Sequence, residues 1–351
     1  MGNNLVRLPA AALALLAAAC GDMPTEPPPP PPAGPPAFTA LRVEQNRIVD
    51  AAGADVVLRG VAVVDPLVGR SHRYHSRLGE DDLESLAREW RAGIVRVPMH
   101  PDLMAHHPAY LREFVDPLVD WAGEHRLYLL LGYHAHGNPL TGEVEETPWG
   151  FDAPWRGNPY NPDLELALAF LAETAARYRD RPWVLYSVFN EPAFISWSDW
   201  RPLAERLVDA VRDPHPGALV LVSGVNWASE LDGALADPVR REGIVYEIHP
   251  YPWVGESWKR VVTELSMTHP VFLGEWGFGD EHPASERNYG EALVGYCEEM
   301  GLGWTAWIWD HSWTPSMFTS PSRARLTPFG ALVKRALAPG KPLSLRALGA
   351  G

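Results

Sequence analysis

Eight short apolar, β-rich runs, each followed by a stretch with apolar residues near every 3.6 positions, constrain this chain more than any other feature. The runs fall at 57–63, 94–98, 127–133, 183–189, 218–223, 244–248, 270–274 and 302–309. Between them lie segments such as DLESLAREWRAG, YLREFVDPLVDWAGEH and DLELALAFLAETAARYR, and PFGALVKRALA follows the last. A strand covered on both faces reads as a continuous apolar run, and the helical period between such strands supplies the cover. Eight strand–helix repeats in 351 residues predict an α/β chain closed into a TIM (β/α)8 barrel. A doubly wound open sheet would carry a glycine-rich phosphate turn after its first strand, and LRGVAVVD has none. Ahead of the repeat, LRVEQNRIVDAAGADVVLRG reads as alternating segments about a turn, a hairpin expected to close the bottom of the barrel.

The barrel is expected to occupy residues 38–345. Upstream, MGNNLVRLPAAALALLAAACGD carries one basic residue, Arg7, and an apolar run over 8–19 that is too short to span a bilayer. Residues 1–19 therefore read as an export signal. Ala17, Ala18 and Ala19 directly before Cys20 resemble a bacterial lipobox, in which the cysteine is lipidated; ordinary secretory cleavage is the alternative. Residues 20–37, which include PTEPPPPPPAGPPA, form a proline-rich linker, because proline removes backbone donors and favours an extended chain. Of the two cysteines, Cys297 is left without an intramolecular partner if Cys20 carries lipid, so stability has to come from packing. A formal charge of −14 with no basic stripe argues against nucleic acid and against adsorption to anionic lipid. A neutral substrate fits better, with membrane contact only through a lipid anchor and the chain expected to be a monomer.

Polar and aromatic residues gather at the carboxyl ends of the runs, the face on which parallel barrels keep their chemistry. They are Arg96 in IVRVPMH, His134 and His136 in LLGYHAHGNP, Asn190 and Glu191 in VFNEP, Trp227 in SGVNW, His249 and Tyr251 in YEIHPYP, Glu275 in FLGEWG, and Trp307 and Trp309 in WTAWIWD. Any one of these could be structural, a salt-bridge partner or a satisfied core histidine. Together at one face of one barrel they point to a site. Two carboxylates converging there, Glu191 and Glu275, are the minimal equipment for cleaving a glycosidic bond, one protonating the leaving oxygen and the other meeting the anomeric carbon.

The ordered series LRGV, RVP, YHAHGNP, FNEP, HPYP, GEWG and WTAWIW, from about Leu58 to Asp310, resembles glycoside hydrolase family 5, the cellulase family of barrel glycosidases. The resemblance implies that Glu191 is the general acid/base and Glu275 the nucleophile of a retaining double displacement. It implies further that Asn190 bonds the sugar 2-hydroxyl, that Arg96 and Tyr251 contact the nucleophile, that His134 and His249 line the scissile subsite, and that Trp307 stacks beneath the sugar. The chain departs from the family's cellulases in having Gly132-Tyr133-His134 where Asp-Trp-His is common, and in lacking the usual Asn after LRG. A β-1,4-glucan cut in its interior is the expected substrate, with a β-mannanase or another β-glycanase or β-glucosidase activity of the same family as the alternative.

Fifteen tryptophans exceed what such a core requires, and Trp149, Trp155, Trp197, Trp227, Trp253 and Trp313 fall in expected loops where flat sugar faces could stack. The long segment 136–161 is expected to form one wall of a cleft. Two rivals of other classes are a metal-dependent barrel hydrolase using His134, His136, His249 and Asp310, and a polysaccharide-binding surface lipoprotein on an inactive barrel. The first lacks a histidine pair on the first strand and a bridging lysine, and the second would need no paired carboxylates. No cofactor or metal is expected.

Overall fold

The computed structural model describes residues 38–71, 78–145, 158–279 and 284–338. The signal 1–19, Cys20, the linker 20–37, Trp149, Trp155 and the tail beyond 338 lie outside the described residues. The strands are β1 Arg42–Glu44, β2 Arg47–Val49, β3 Arg59–Ala62, β4 Ile94–Met99, β5 Tyr128–Tyr133, β6 His136–Gly137, β7 Val184–Ser187, β8 Glu191–Pro192, β9 Val220–Ser223, β10 Ile244–Ile248, β11 Val271–Leu273 and β12 Gly303–Ala306. Eight of them close a barrel in the order β3-β4-β5-β7-β9-β10-β11-β12 and back to β3, with every pairing parallel. Each of the eight expected runs holds one barrel strand. Among the described residues no helix is long and apolar enough to cross a membrane.

The alternation of side chains along each strand sorts them into two surroundings. One set, including Val95, Val97, Leu129, Leu131, Val220, Val222, Tyr246 and Leu273, packs in the large core with helix residues such as Leu171, Leu207 and Val262. The other faces the barrel axis. Its lowest layer is apolar: Leu58, Ile94, Leu130, Leu185, Leu221, Val245 and Phe272 form a separate buried cluster with Leu41, and Val43 and Ile48 of the β1–β2 hairpin pack against it. The hairpin thus closes the amino-terminal end of the barrel, as its sequence predicts. Phe38, edge-on to Tyr128 with ring centroids 5.1 Å apart, is the first residue of the compact unit that holds the barrel.

Two residues further along the same strands the inner positions turn small or polar: Gly60, Arg96, Gly132, Ser187, Ser223, Glu247, Gly274 and Thr305. The small residues make room for the charged ones. A Cβ on Gly274 would stand 1.8 Å from Glu247 Oε1, so the carboxylate occupies the place a side chain would take. Helix formation follows the sequence with one local change. YLREFVDPLVDWAGEH is not one α-helix: a π-turn at Leu111–Val115 leads into the helix Asp116–His125, with Pro117 in its first turn, where a missing N–H costs nothing.

Candidate active site

The site stands on the small-and-polar layer and opens at the carboxyl ends of the strands. Arg96, fully buried on β4, organises it. Its Nη1 donates to Glu275 Oε1 at 2.7 Å, its Nε to Glu247 Oε1 at 3.2 Å, and its Nη2 to Asn190 Oδ1 at 2.5 Å. One guanidinium therefore orients three strands' worth of side chains, a use for which its planar fork suits it. Tyr251 completes the hold on Glu275 by donating its hydroxyl to Oε2 at 2.9 Å. Burial, then Glu275 and Glu191, push the Tyr251 phenol well above its ordinary range, so it stays a donor.

Glu191 has different neighbours. Its Oε1 lies 2.9 Å from His249 Nδ1 and its Oε2 3.4 Å from His136 Nε2. It sits on β8, a two-residue strand paired with His136–Gly137 of β6 above the barrel rim, so the loop after β5 and the loop after β7 are tied together at the acid. Burial raises the Glu191 carboxyl above the usual carboxylate range and the negative Glu275 adds to this, while His249 pulls the other way. Burial opposes the charge on His249, yet Glu275, Glu191 and Glu247 bring it to about 9. The Glu191–His249 pair thus retains a proton through neutral pH. His136 is held neutral, pushed down to about 3 by burial and then by His100, His249 and Arg96, and His134 is lowered in the same way.

Glu247 is the functional residue that the strand-end inspection misses, because it lies inside β10 rather than at its end. It is fully buried, bonded to Arg96, to His249 Nε2 at 3.3 Å and to the hydroxyls of Ser187 and Ser223. Burial disfavours its charge, but Arg96, His249 and Ser187 outweigh that and hold it at about 2. A glutamate in the middle of the apolar run IVYEI was the available signal, since a buried charge needs a partner. Tyr160 was also unmarked: its ring stacks on His136 with centroids 4.0 Å apart and it lines the cleft, delivered by the long loop whose described parts fold back onto the site.

Around these groups lies a cleft of about 850 Å³ lined by His134, His136, Tyr160, Glu191, Trp227, His249, Tyr251, Trp253, Glu275 and Trp307, among others. Trp307 stacks face to face on His134, with centroids 5.5 Å apart, and on Trp313. Asn190 Nδ2 and His134 Nδ1 are among the buried side-chain nitrogens of the described residues that have no hydrogen-bond partner. Trp309 is not part of the cleft. The pleat ends at Ala306, and beyond it Trp309 turns into the core, edge-on to Trp90 at 4.7 Å and to Phe318 at 4.8 Å. Trp197 is likewise buried, its Nε1 donating to the Asp237 carbonyl at 2.8 Å.

One oxygen each of Glu191 and Glu275 and one ring nitrogen of His249 lie within 4.8 Å of one another, a set that could hold a metal ion. The donors considered from sequence for a metal-dependent hydrolase do not combine in this way. Asp310 instead folds its own loop, accepting from Ser312 N and Trp313 N at 3.0 Å. A short gap between two carboxylates, one held by an arginine and a tyrosine and the other beside histidines, can divide nucleophile from acid.

Residues 49–312 match the family described as cellulase, glycosyl hydrolase family 5. Endoglucanase Z of Dickeya dadantii (strain 3937) is 26% identical over 262 residues, 72% of this chain and 56% of that protein. Endoglucanase E-5 of Thermobifida fusca is 26% identical over 284 residues, 77% of this chain and 55% of that protein. The chain spans a little over half the length of these curated relatives. Among solved structures, the β-glucanase SdGluc5_26A from Saccharophagus degradans superposes with a TM-score of 0.74 at 26% identity, covering 87% of this chain and 96% of that one.

Proposed function

Because the chain belongs to glycosyl hydrolase family 5, the cellulase family, we propose that it hydrolyses β-1,4-linked glucan within the chain, with retention of anomeric configuration. The observation that carries this is the unequal pair: Glu275 gripped by Arg96 and Tyr251, Glu191 beside His249, with oxygens of the two within 4.8 Å. Retaining glycosidases keep their carboxyl groups about 5–5.5 Å apart, whereas inverting ones leave room for a water.

In the first step a Glu275 oxygen bonds to the anomeric carbon as the bond to the leaving oxygen breaks, and Glu191 gives that oxygen its proton. In the second, water attacks the same carbon, Glu191 takes the water's proton and Glu275 leaves. Arg96 and Tyr251 keep Glu275 placed for attack on one face. Asn190, its Oδ1 pinned by Arg96, keeps Nδ2 for the sugar 2-hydroxyl. Trp307, stacked on His134 in the cleft lining, is the ring on which the sugar is expected to stack, and Trp227 lines the same cleft. The relatives named as endoglucanases and a β-glucanase support glucan over mannan as the substrate.

The test follows reducing ends and viscosity together on carboxymethyl-cellulose, mixed-linkage β-glucan, glucomannan and xylan. Fast viscosity loss on the glucans is expected; clear preference for mannan, or cleavage of aryl glucosides alone, would overturn the substrate. We propose also that the chain is exported and held at the cell envelope through Cys20, on the lipobox-like triplet and the proline run after it. Cys20→Ser should release the protein from the membrane fraction of a bacterial host.

A further inference from the structure

Asp65 and His100 are fully buried, titratable and unused by the chemistry described above. Asp65 stands just beyond β3, and His100 directly follows Met99, the last residue of β4. The two oxygens of Asp65 have separate work. Oδ1 accepts from Leu67 N at 2.8 Å and from Val68 N at 3.4 Å, at the start of the helix Pro66–Ser71. Oδ2 accepts from His100 N and from the Tyr110 hydroxyl, both at 2.9 Å, and lies 3.2 Å from His100 Nδ1. Tying down the start of a helix needs only the first oxygen. The second holds a ring.

That ring stands behind the wall of the cleft. It is edge-on to His134 with centroids 4.7 Å apart, tilted against Tyr160 at 5.2 Å and edge-on to Trp313 at 6.0 Å. His134 and Tyr160 both line the cleft. Each leads on to a group of the reaction. His134 stacks on Trp307, and Tyr160 stacks on His136, whose Nε2 is 3.4 Å from Glu191 Oε2. His100 has no exposed surface, so any effect it has on a bound sugar passes through the rings in front of it.

An imidazole can turn about its bond to Cβ, and packing alone distinguishes poorly between its orientations. A carboxylate beside one nitrogen fixes both the orientation and the nitrogen that carries the proton. We propose that Asp65 and His100 form one positioning unit for the reaction: the carboxylate sets the His100 ring, and the ring holds His134 and Tyr160 in place at the wall of the cleft. This rests on the glycosidase reading of the cleft and adds to it two residues that act from behind the wall.

The test measures kcat and KM for the wild type, Asp65→Asn, His100→Phe, His100→Asn, the Asp65→Asn/His100→Phe double variant and Leu130→Ala. Each is assayed on whichever β-glycan the wild type cleaves fastest, so a wrong choice of glucan overturns the substrate reading alone. His100→Phe keeps a ring and loses the bond to Asp65, whereas His100→Asn keeps an N–H for Asp65 and loses the ring. Each single variant of the pair should lower kcat about tenfold with KM changed less than about twofold, because rings displaced around the reacting sugar cost the transition state more than the bound chain. The double variant should lose no more than the worse of its two parents, as residues that act as one unit do. Leu130→Ala, a core change outside the site, should keep kcat within about twofold of the wild type. If Asp65→Asn fails to fold, the two His100 variants decide the matter, since both leave Asp65 in place. Unchanged kcat in the folded His100 variants, losses that multiply in the double variant, or an equal loss of kcat in Leu130→Ala would overturn the proposal.

Discussion

The two ends of the barrel are made by the same strands and differ in chemistry from one inner layer to the next. At the amino-terminal end Ile94, Leu130, Leu185 and Val245 fill the axis with hydrocarbon under the hairpin. Two residues on, the same strands present Arg96, Gly132, Ser187 and Glu247. The lower layer gains from burial itself, each leucine-sized side chain contributing about 1.5–3 kcal/mol. The upper layer buries charges that burial alone would reject, and it stands only because Arg96, Glu247, Glu275 and His249 satisfy one another. Stability is thus concentrated where the barrel is closed, and chemistry where polar groups face each other.

Variants should separate the two ends. The largest effect belongs to Glu275→Gln, which is expected to lower kcat on polysaccharide by on the order of 10⁴-fold without unfolding the chain. Glu191→Gln should be milder on substrates with very good leaving groups, and azide should rescue Glu191→Ala on them; equal, unrescued loss in both would leave the roles unassigned.

Glu247→Gln tests the polar layer itself. Leaving Arg96 with one carboxylate fewer should cost about 3–5 kcal/mol in denaturant unfolding and lower activity as Asn190 and Glu275 shift. Leu130→Ala below it should cost about 2–5 kcal/mol through a cavity, with the shape of the pH–activity profile unchanged. A changed profile in Leu130→Ala would erase the division between the layers.

A smaller effect is expected from His249→Asn in the pH profile. His249 holds the Glu191 carboxyl lower than burial alone would place it, so its loss should let that carboxyl rise. A general acid acts while protonated, and the alkaline limb of kcat/KM should therefore move to higher pH, even as kcat falls. Movement to lower pH would contradict the assignment of Glu191 as the acid.

The smallest effect is on stability against pH. His249, raised in the fold from 6.5 to about 9, contributes stability that is complete below 6.5 and lost as pH rises through 9. Glu247, lowered from 4.5 to about 2, contributes stability present above 4.5 and lost as pH falls through 2. Thermal unfolding followed from pH 2 to 10 should show both limbs in the wild type, and a weaker acid limb in Glu247→Gln.

Much of this was legible in the sequence because the barrel repeats one rule eight times. Apolar runs marked the strands, and the polar residues where those runs stop marked His134, Glu191, His249 and Glu275, while Arg96, read there too, lies inside β4. The rule misled where it was carried past a strand's end. Trp307 and Trp309 share a parity in WTAWIWD, but the pleat stops at Ala306 and only Trp307 faces the cleft. It was silent inside a strand, where Glu247 read as one more position of an apolar run. Tyr160 could not be placed, because a side chain delivered by a long loop obeys no period.

The central claim, that the upper layer performs a double displacement with Glu275 as nucleophile, is tested most directly by proton NMR of the first product released from a β-glucan oligosaccharide, read before mutarotation. The β anomer is predicted as the initial product. Initial appearance of the α anomer would contradict the account, since a single displacement by water inverts the carbon that two displacements leave unchanged.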